Sequence, residues 1–212
     1  MVKNKPGTML LVIFLVALLV EMMAIAAGYP QVRYVSKIVL MPALAAWYFL
    51  QPKQSRNPMN GFIPAALFFS WMGDIFLLFE QRQAVFFMSG LGSFLIAHIV
   101  YLVYFSRLRA ASGSFYRLGW IVPLGLYYFL LMRLLDPSLG ALGWPVRIYG
   151  FTICLMLFTA IRLRLDRGGA GRKMLAGALL FVLSDSLLAI DRFYQPVALA
   201  GCWIMLTYAV AQ

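Results

Sequence analysis

SWMGDIFLL at residues 70–78 and FVLSDSLL at residues 181–188 are two similar patterns whose aspartates lie 111 positions apart. Each places a small residue directly before an aspartate and a leucine pair shortly after it. Both lie in apolar runs long enough to cross a bilayer, where an ionised carboxylate costs roughly 2.5–3.5 kcal/mol on insertion scales. Because a chain seldom carries that penalty twice without a use for it, Asp74 and Asp185 are the first candidate functional residues.

The composition around these two stretches is that of a membrane protein. Hydrophobic residues make up 63% of the 212 residues and charged residues 12%, against roughly 45–50% and about 25% in soluble domains. We therefore predict one all-α transmembrane domain over residues 1–212, a polytopic helical bundle. Apolar runs of about 18–20 residues predict eight membrane-spanning helices, near 8–28, 32–50, 61–80, 84–105, 118–135, 145–163, 173–191 and 195–212.

The eight predicted spans divide into two sets of four. Shifting the starts of the first four by 111 positions brings them within two residues of the starts of the last four. An even number of spans per half gives both halves the same orientation, as in transporters with parallel repeats. The sequence thus predicts internal repeats at 8–105 and 118–212, a hypothesis that superposition of the two halves tests.

The net charge of +11 follows the predicted topology. Twelve of the 18 basic residues fall on the face that carries both termini: Lys3, Lys5, Lys53, Arg56, Arg107, Arg109, Arg117, Arg162, Arg164, Arg167, Arg172 and Lys173. By the positive-inside rule both termini are cytoplasmic, and in a prokaryote the membrane would be the inner one. The charge therefore indicates topology, and we expect no nucleic-acid partner.

The first span admits two interpretations. Lys3 and Lys5, followed by an apolar stretch and Ala24-Ile25-Ala26, are similar to a cleavable signal peptide. The apolar segment continues through Glu21 to Gly28, however. We therefore expect a retained helix.

Four ionisable side chains fall at one depth in the predicted bundle. Glu21 lies about seven residues from the outer end of the first span, Lys37 about five from that of the second, and Asp74 and Asp185 about six from those of the third and seventh. At 1.5 Å per residue all four lie roughly 8–10 Å below the outer boundary. The sequence predicts a shared polar pocket that opens toward the outer leaflet.

Two interpretations of this pocket are open. In a structural one, Lys37 neutralises one carboxylate and the other groups hold the bundle together. In a catalytic one, three carboxylates share one ammonium, so at least one acid lacks a counterion. Burial and a like-charged neighbour then keep one acid protonated beside an ionised partner. An acid paired with a base is suited to proton transfer.

Few other residues offer chemistry. His98 is the only histidine, which excludes HExxH and multi-histidine zinc sites, so we expect no metal and no cofactor. His98 itself is either a packing residue or a catalytic one. Tyr101 shares its helix face, and Tyr208 and Gln212 on the last span are further candidates for the cavity wall.

Five ordered motifs cover nearly the whole chain: Ser36-Lys37 followed by Pro42, Ser70-x-x-Gly73-Asp74, Phe94-x-x-Ala97-His98-x-x-Tyr101, Gly177-Ala178-x-x-Phe181-x-x-Ser184-Asp185-Ser186, and Thr207-Tyr208-x-x-Ala211-Gln212. Together they resemble the YhhN family of integral membrane proteins, which includes the lysoplasmalogenases. The resemblance implies a hydrolase of the lysoplasmalogen vinyl-ether bond that yields a fatty aldehyde and glycerophosphoethanolamine or glycerophosphocholine.

On this resemblance the catalytic positions fall on Asp74 and Asp185. One aspartate would protonate the alkene and the other would position water, as paired carboxyl groups do in glycosidases. The substrate would be a lysophospholipid that enters sideways from the bilayer lipids, with its phosphate held by Lys37, Arg33 or Arg192. The candidate substrate-binding residues are Lys37, Glu21, Ser70, Ser184, His98, Tyr101 and Tyr208.

Two other classes of protein remain open. Repeated halves with intramembrane acids also suit a small-molecule or lipid transporter, or flippase. An aspartate nucleophile would suit another lipid hydrolase that acts on an epoxide or an ester. The sequence leaves the oligomeric state, the head-group preference and the roles of the two aspartates open.

Overall fold

The computed structural model describes residues 5–51, 59, 61–80, 82–110, 118–167 and 169–212. This part of the chain is helical and contains no strand. Its eight α-helices are α1 (Lys5–Ala27), α2 (Pro30–Phe49), α3 (Phe62–Leu78), α4 (Ala84–Ala110), α5 (Ile121–Leu139), α6 (Gly143–Arg167), α7 (Gly169–Phe193) and α8 (Ala200–Ala211). Of the basic residues used for the topology, Lys3, Lys53, Arg56 and Arg117 lie outside the described residues.

Several of these helices are long and apolar enough to cross a bilayer, so the chain is an integral membrane protein. Among the described residues, four stretches meet both conditions, and the third of them covers α5 and α6: Pro6–Ala27, Ala84–Leu108, Ile121–Arg164 and Gly171–Phe193. The apolar helices α3 and α8 are shorter. Eight crossings and cytoplasmic termini stay predictions.

The α8 helix begins five residues later than the sequence predicts, at Ala200 rather than 195. Pro196 has no N–H to continue a helix, and Leu199 adopts a left-handed conformation with φ 55°. The Asp191 carboxylate accepts a hydrogen bond from the Val197 N–H at 2.8 Å, which holds the link in its non-helical path. The remaining 12 residues give a helix about 18 Å long, shorter than the roughly 30 Å hydrocarbon core.

The link between α6 and α7 is more helical than predicted. Predicted span ends at 163 and 173 leave a glycine-rich connection, whereas α6 continues to Arg167 and α7 begins at Gly169. Arginine and lysine are good helix formers, so the basic segments extend both helices beyond the apolar runs.

The chain forms two compact units, Met1–Tyr101 and Leu102–Gln212, with the boundary inside α4. In the first unit α1 packs against α2, and α2 packs against α3. In the second unit α7 packs against α6 and α8, and α5 packs against α6 and α7. The predicted duplication of four helices stays a prediction.

A tight turn joins α1 to α2. Gly28 has φ +72°, a conformation open to glycine, and the Tyr29 N–H donates to the Ala24 carbonyl at 2.9 Å. Pro30 then occupies the first turn of α2, where its missing N–H is harmless. In the resulting antiparallel hairpin, residues equally distant from the turn face each other, and this geometry brings Glu21 opposite Ser36.

The α3 and α4 helices approach closely because two glycines lie at their contact. A Cβ atom on Gly73 would lie 2.6 Å from the Phe94 ring, and one on Gly90 would lie 2.9 Å from the Leu77 side chain. Both pairs fit one antiparallel register. In that register His98 of α4 is about level with Ser70 of α3, roughly one helical turn from Asp74.

Candidate active site

The first polar cluster joins α1 to α2 around a buried carboxylate. Glu21 is 0% exposed, and its Oε1 accepts a hydrogen bond from Arg33 Nε at 3.1 Å. Its Oε2 accepts one from Ser36 Oγ at 2.7 Å. Arg33 lies in the first turn of α2, and its side chain is 35% exposed. The guanidinium therefore reaches down from the helix end to neutralise a carboxylate inside the bundle.

The second cluster is an ion pair between α2 and α3. Lys37 Nζ lies 3.4 Å from Asp74 Oδ1, and the two side chains are 8% and 3% exposed. Beside this pair, Trp71 Nε1 donates a hydrogen bond to the Ile38 carbonyl at 2.9 Å. Desolvation offsets most of the attraction within a buried ion pair, so stability alone gives the chain little reason to keep one. The pair is a candidate for function.

The sequence predicts that Glu21, Lys37 and Asp74 share one pocket. The structure joins Lys37 to Asp74 but pairs Glu21 with Arg33. Lys37 is therefore not the one counterion for three carboxylates, and that prediction was wrong. It placed Arg33 at the rim, whereas this side chain starts in the first turn of α2 and is long enough to reach Glu21.

Three further predicted residues are buried on α3 and α4. Ser70 lies one turn before Asp74, on the same helix face, and is 0% exposed. His98 is 1% exposed, and its Nδ1 lies 2.7 Å from the Phe94 carbonyl oxygen. Tyr101 is also buried. These side chains lie within the first unit with Asp74, and their roles in substrate binding stay predictions.

The third cluster surrounds Asp185 in the second unit. The Tyr149 hydroxyl on α6 donates a hydrogen bond to Asp185 Oδ2 at 2.8 Å. The next residue, Ser186, lies 2.5 Å from the hydroxyl of Tyr127 on α5 and donates to the Val182 carbonyl. Two tyrosines from two different helices therefore hold two consecutive residues of α7.

Neither tyrosine was singled out from the sequence. The chain has 11 tyrosines, and no motif distinguishes Tyr127 or Tyr149 from those that anchor helices at the membrane interface. The available signal is weak: both are polar groups in the middle of apolar helices, where a hydroxyl needs a partner.

Two predicted substrate-binding residues of this unit contribute to helix packing. Ser184 Oγ donates to the Ile204 carbonyl of α8 at 3.0 Å. The buried Tyr208 ring meets Phe181 edge to face, with 5.9 Å between the centroids. Both residues join α7 to α8, and their substrate roles stay predictions. The convergence of Asp185 and Asp74 on one substrate also stays a prediction.

An apolar groove of about 630 Å³ runs between α1 and α2, a volume within the usual range of ligand sites. Its lining is aliphatic apart from Gln31 and Ser36: Val12, Ile13, Val16, Ala17, Val20, Gln31, Val32, Val35, Ser36 and Val39. The Ser36 hydroxyl in this wall bonds to Glu21. The groove therefore adjoins the Glu21 cluster of the first unit.

Within the described ranges, no three His, Cys, Asp or Glu side chains are grouped as metal ligands would be. The carboxylates of Asp74 and Asp185 are engaged by Lys37 and Tyr149. The chemistry that these groups support directly is proton transfer and stabilisation of a positive charge.

Comparison with known proteins identifies the family. The YhhN family model matches residues 32–212. Human lysoplasmalogenase TMEM86B is 30% identical over 179 residues, 84% of this chain and 72% of that protein. Pig lysoplasmalogenase TMEM86B is 31% identical over 172 residues (81% and 69%), and human lysoplasmalogenase TMEM86A is 32% identical over 185 residues (82% and 73%). No solved structure matches significantly. The chain belongs to the YhhN family.

Proposed function

We propose that the protein is a membrane-embedded lysoplasmalogenase. It hydrolyses the vinyl-ether bond of a lysoplasmalogen to a fatty aldehyde and glycerophosphoethanolamine or glycerophosphocholine. The observation that carries the proposal is Asp74, a buried carboxylate 3.4 Å from Lys37 Nζ, in a chain about 30% identical to relatives named lysoplasmalogenase. Such a buried charge in an apolar span marks a functional site by default.

The reaction requires one proton donor and one carboxylate. A carboxylic acid delivers its proton to the distal carbon of the vinyl ether, which leaves a cation shared between the other alkene carbon and the ether oxygen. Water adds to that carbon and gives its proton to the second carboxylate. The hemiacetal then breaks its carbon–oxygen bond to the glycerol: the second carboxyl group gives its proton to the glycerol oxygen, and the hemiacetal hydroxyl returns a proton to the first. Aldehyde and alcohol leave, one water is consumed and both groups regain their starting protonation.

The environments of the two aspartates suggest how the roles divide. Asp74 lies against the Lys37 ammonium, which favours a carboxylate there, so we assign to Asp74 the stabilisation of the cation and the acceptance of the proton from water. Asp185 accepts a hydrogen bond from the neutral hydroxyl of Tyr149, and we assign to Asp185 the delivery of the proton. This division follows the general pattern in which different environments give paired acids different roles.

We also propose that the groove between α1 and α2 holds the hydrocarbon chain of the substrate. Its aliphatic lining suits a single alkyl chain, and Ser36 in its wall is the sequence neighbour of Lys37, which binds Asp74.

Filling the groove should impair the binding of long chains. In Val16→Trp the indole occupies the groove, and we expect KM for a long-chain lysoplasmalogen to rise about tenfold or more, the scale of a few lost methylene contacts. The turnover number at saturation should stay near that of the wild type. Leu15→Trp is the matched control, because Leu15 is 49% exposed against 53% for Val16 but does not line the groove. Equal KM values for the two variants would contradict a role of the groove in chain binding.

The proposed function predicts a distinct substrate preference. Purified protein in detergent should release fatty aldehyde from a vinyl-ether lysolipid but leave the alkyl-ether analogue intact, because protonation of carbon forms a stabilised cation only from the vinyl ether. Mass spectrometry of the products checks both results, and it also detects any fatty acid released from an ester lysolipid.

Each alternative class predicts a different result in the same assay. Release of fatty acid from the ester alone would indicate an ester hydrolase. A transporter or flippase would consume none of the three lipids in detergent and would move lipid only in sealed vesicles. Either outcome would overturn the proposed function.

A further inference from the structure

Tyr149 and Asp185 are held together across two helices of the second unit. Tyr149 lies on α6 and is buried, with 9% of its surface exposed. Its hydroxyl lies 2.8 Å from Asp185 Oδ2 on α7, a normal distance for a hydrogen bond to a carboxyl oxygen. The α6 and α7 helices pack along each other, so both side chains are fixed by the helix contact.

The hydrogen bond fixes one oxygen of the Asp185 carboxyl group against Tyr149. A tyrosine hydroxyl can donate to a carboxylate oxygen and can accept from a protonated one. The contact can therefore persist before and after Asp185 gives up a proton, and Tyr149 restrains the carboxyl group in both states.

A second tyrosine restrains the same turn of α7. The Tyr127 hydroxyl contacts Ser186 Oγ, which in turn donates to the Val182 carbonyl. Ser186 is the neighbour of Asp185, so α5 and α6 each form a side-chain hydrogen bond to the same turn of α7. By contrast, Tyr128 donates to the backbone carbonyl of Arg147 at 3.2 Å and has no such link to α7.

We infer that Tyr149 is a positioning residue, which holds the Asp185 carboxyl group in the orientation from which it delivers its proton to the substrate alkene. The inference rests on the proposed function, in which Asp185 is the proton donor. Without the tyrosine hydroxyl the carboxyl group loses this restraint on its orientation. Proton delivery then becomes slower, while substrate binding is unaffected.

Kinetics of Tyr149→Phe test the inference, because this change removes the hydroxyl and keeps the ring. The turnover number should fall about 10–100-fold, the usual effect of one lost hydrogen bond to an ionisable group, while KM and the thermal unfolding temperature stay near those of the wild type. The solvent deuterium isotope effect on turnover should increase because proton transfer becomes more rate-limiting. Tyr128→Phe is the matched control and should leave all four quantities unchanged.

Two kinetic outcomes would overturn the inference. In one, Tyr149→Phe turns over within about threefold of the wild type. In the other, the turnover number and the unfolding temperature both fall, KM changes as well, and the isotope effect stays unchanged. That result would make the tyrosine a packing residue. Failure of the proposed function is distinguishable, because the wild type itself would then release no aldehyde.

Infrared spectroscopy gives a second test that does not depend on the folding of the Tyr149 variant. The wild type should show a carbonyl stretching band of a protonated carboxyl group that disappears in Asp185→Asn. In a folded Tyr149→Phe variant that band should move to higher frequency, because the carboxyl group loses its hydrogen bond to Tyr149. Absence of the band from the wild type would overturn the inference.

Discussion

Asp74→Asn and Asp185→Asn should each lower the turnover of lysoplasmalogen by about 10²–10⁴-fold, the usual contribution of a general acid or base. Asparagine keeps the shape of aspartate but neither delivers a proton to carbon nor accepts one from water. The measurement is the initial rate of aldehyde release by purified variants in detergent, with the unfolding temperature recorded for each.

Asp136→Asn is the matched control for these variants. Asp136 forms a half-exposed ion pair with Arg147, at 2.7 Å, so its amide variant should keep a rate within about twofold of the wild type, as expected for a surface ion pair. A folded Asp74→Asn or Asp185→Asn protein with a near-normal rate would remove that aspartate from the mechanism.

Lys37→Met should be the most destabilising single change among the charged residues of the first unit. It leaves Asp74 buried without the ammonium 3.4 Å away, and breaking a buried pair in this way costs about 3–5 kcal/mol. The double variant Lys37→Met, Asp74→Asn removes both charges and should recover most of that stability while it stays inactive. Equilibrium unfolding in mixed detergent measures both free energies.

Arg147→Met is the corresponding control on an exposed pair. Its side chain is 38% exposed, and removal of such a partner costs about 0–1 kcal/mol. If Lys37→Met were no more destabilising than this control, or if the double variant showed the simple sum of the two single losses, the Lys37–Asp74 contact would not be a coupled buried pair.

The helices were largely predictable from the apolar runs, and their ends were not. Each helix begins and ends within five residues of its predicted span, because backbone groups in lipid must bond within the segment. The late start of α8 depends on a left-handed Leu199 and on the Asp191 side chain. Both are local geometry that no hydropathy pattern records.

Contacts in the candidate site were predictable where the helix and the depth of each residue in the bilayer determine them. Lys37 and Asp74 fall at the same predicted depth on neighbouring helices, and the structure joins them. Arg33 was placed at the rim by depth alone, whereas its long side chain reaches a buried carboxylate. Depth locates a Cα atom and not the end of a flexible side chain.

The partner of Asp185 was beyond the sequence for a different reason. Its link to Tyr149 depends on how α6 rotates against α7, and rotation is set by packing rather than by spacing along the chain. The same limit applies to the serines that flank Asp185. Ser184 and Ser186 differ by about 200° around the helix, and only the structure shows that one faces α8 and the other faces Tyr127.

The rate of the double variant Asp74→Asn, Asp185→Asn, measured beside the two single variants, tests most directly whether the aspartates act as one catalytic unit. Residues that act as a unit show non-additive losses. We predict that the folded double variant releases aldehyde about as slowly as the slower single variant. A double variant whose loss equals the product of the two single losses would show that the two carboxylates act independently and would contradict the account.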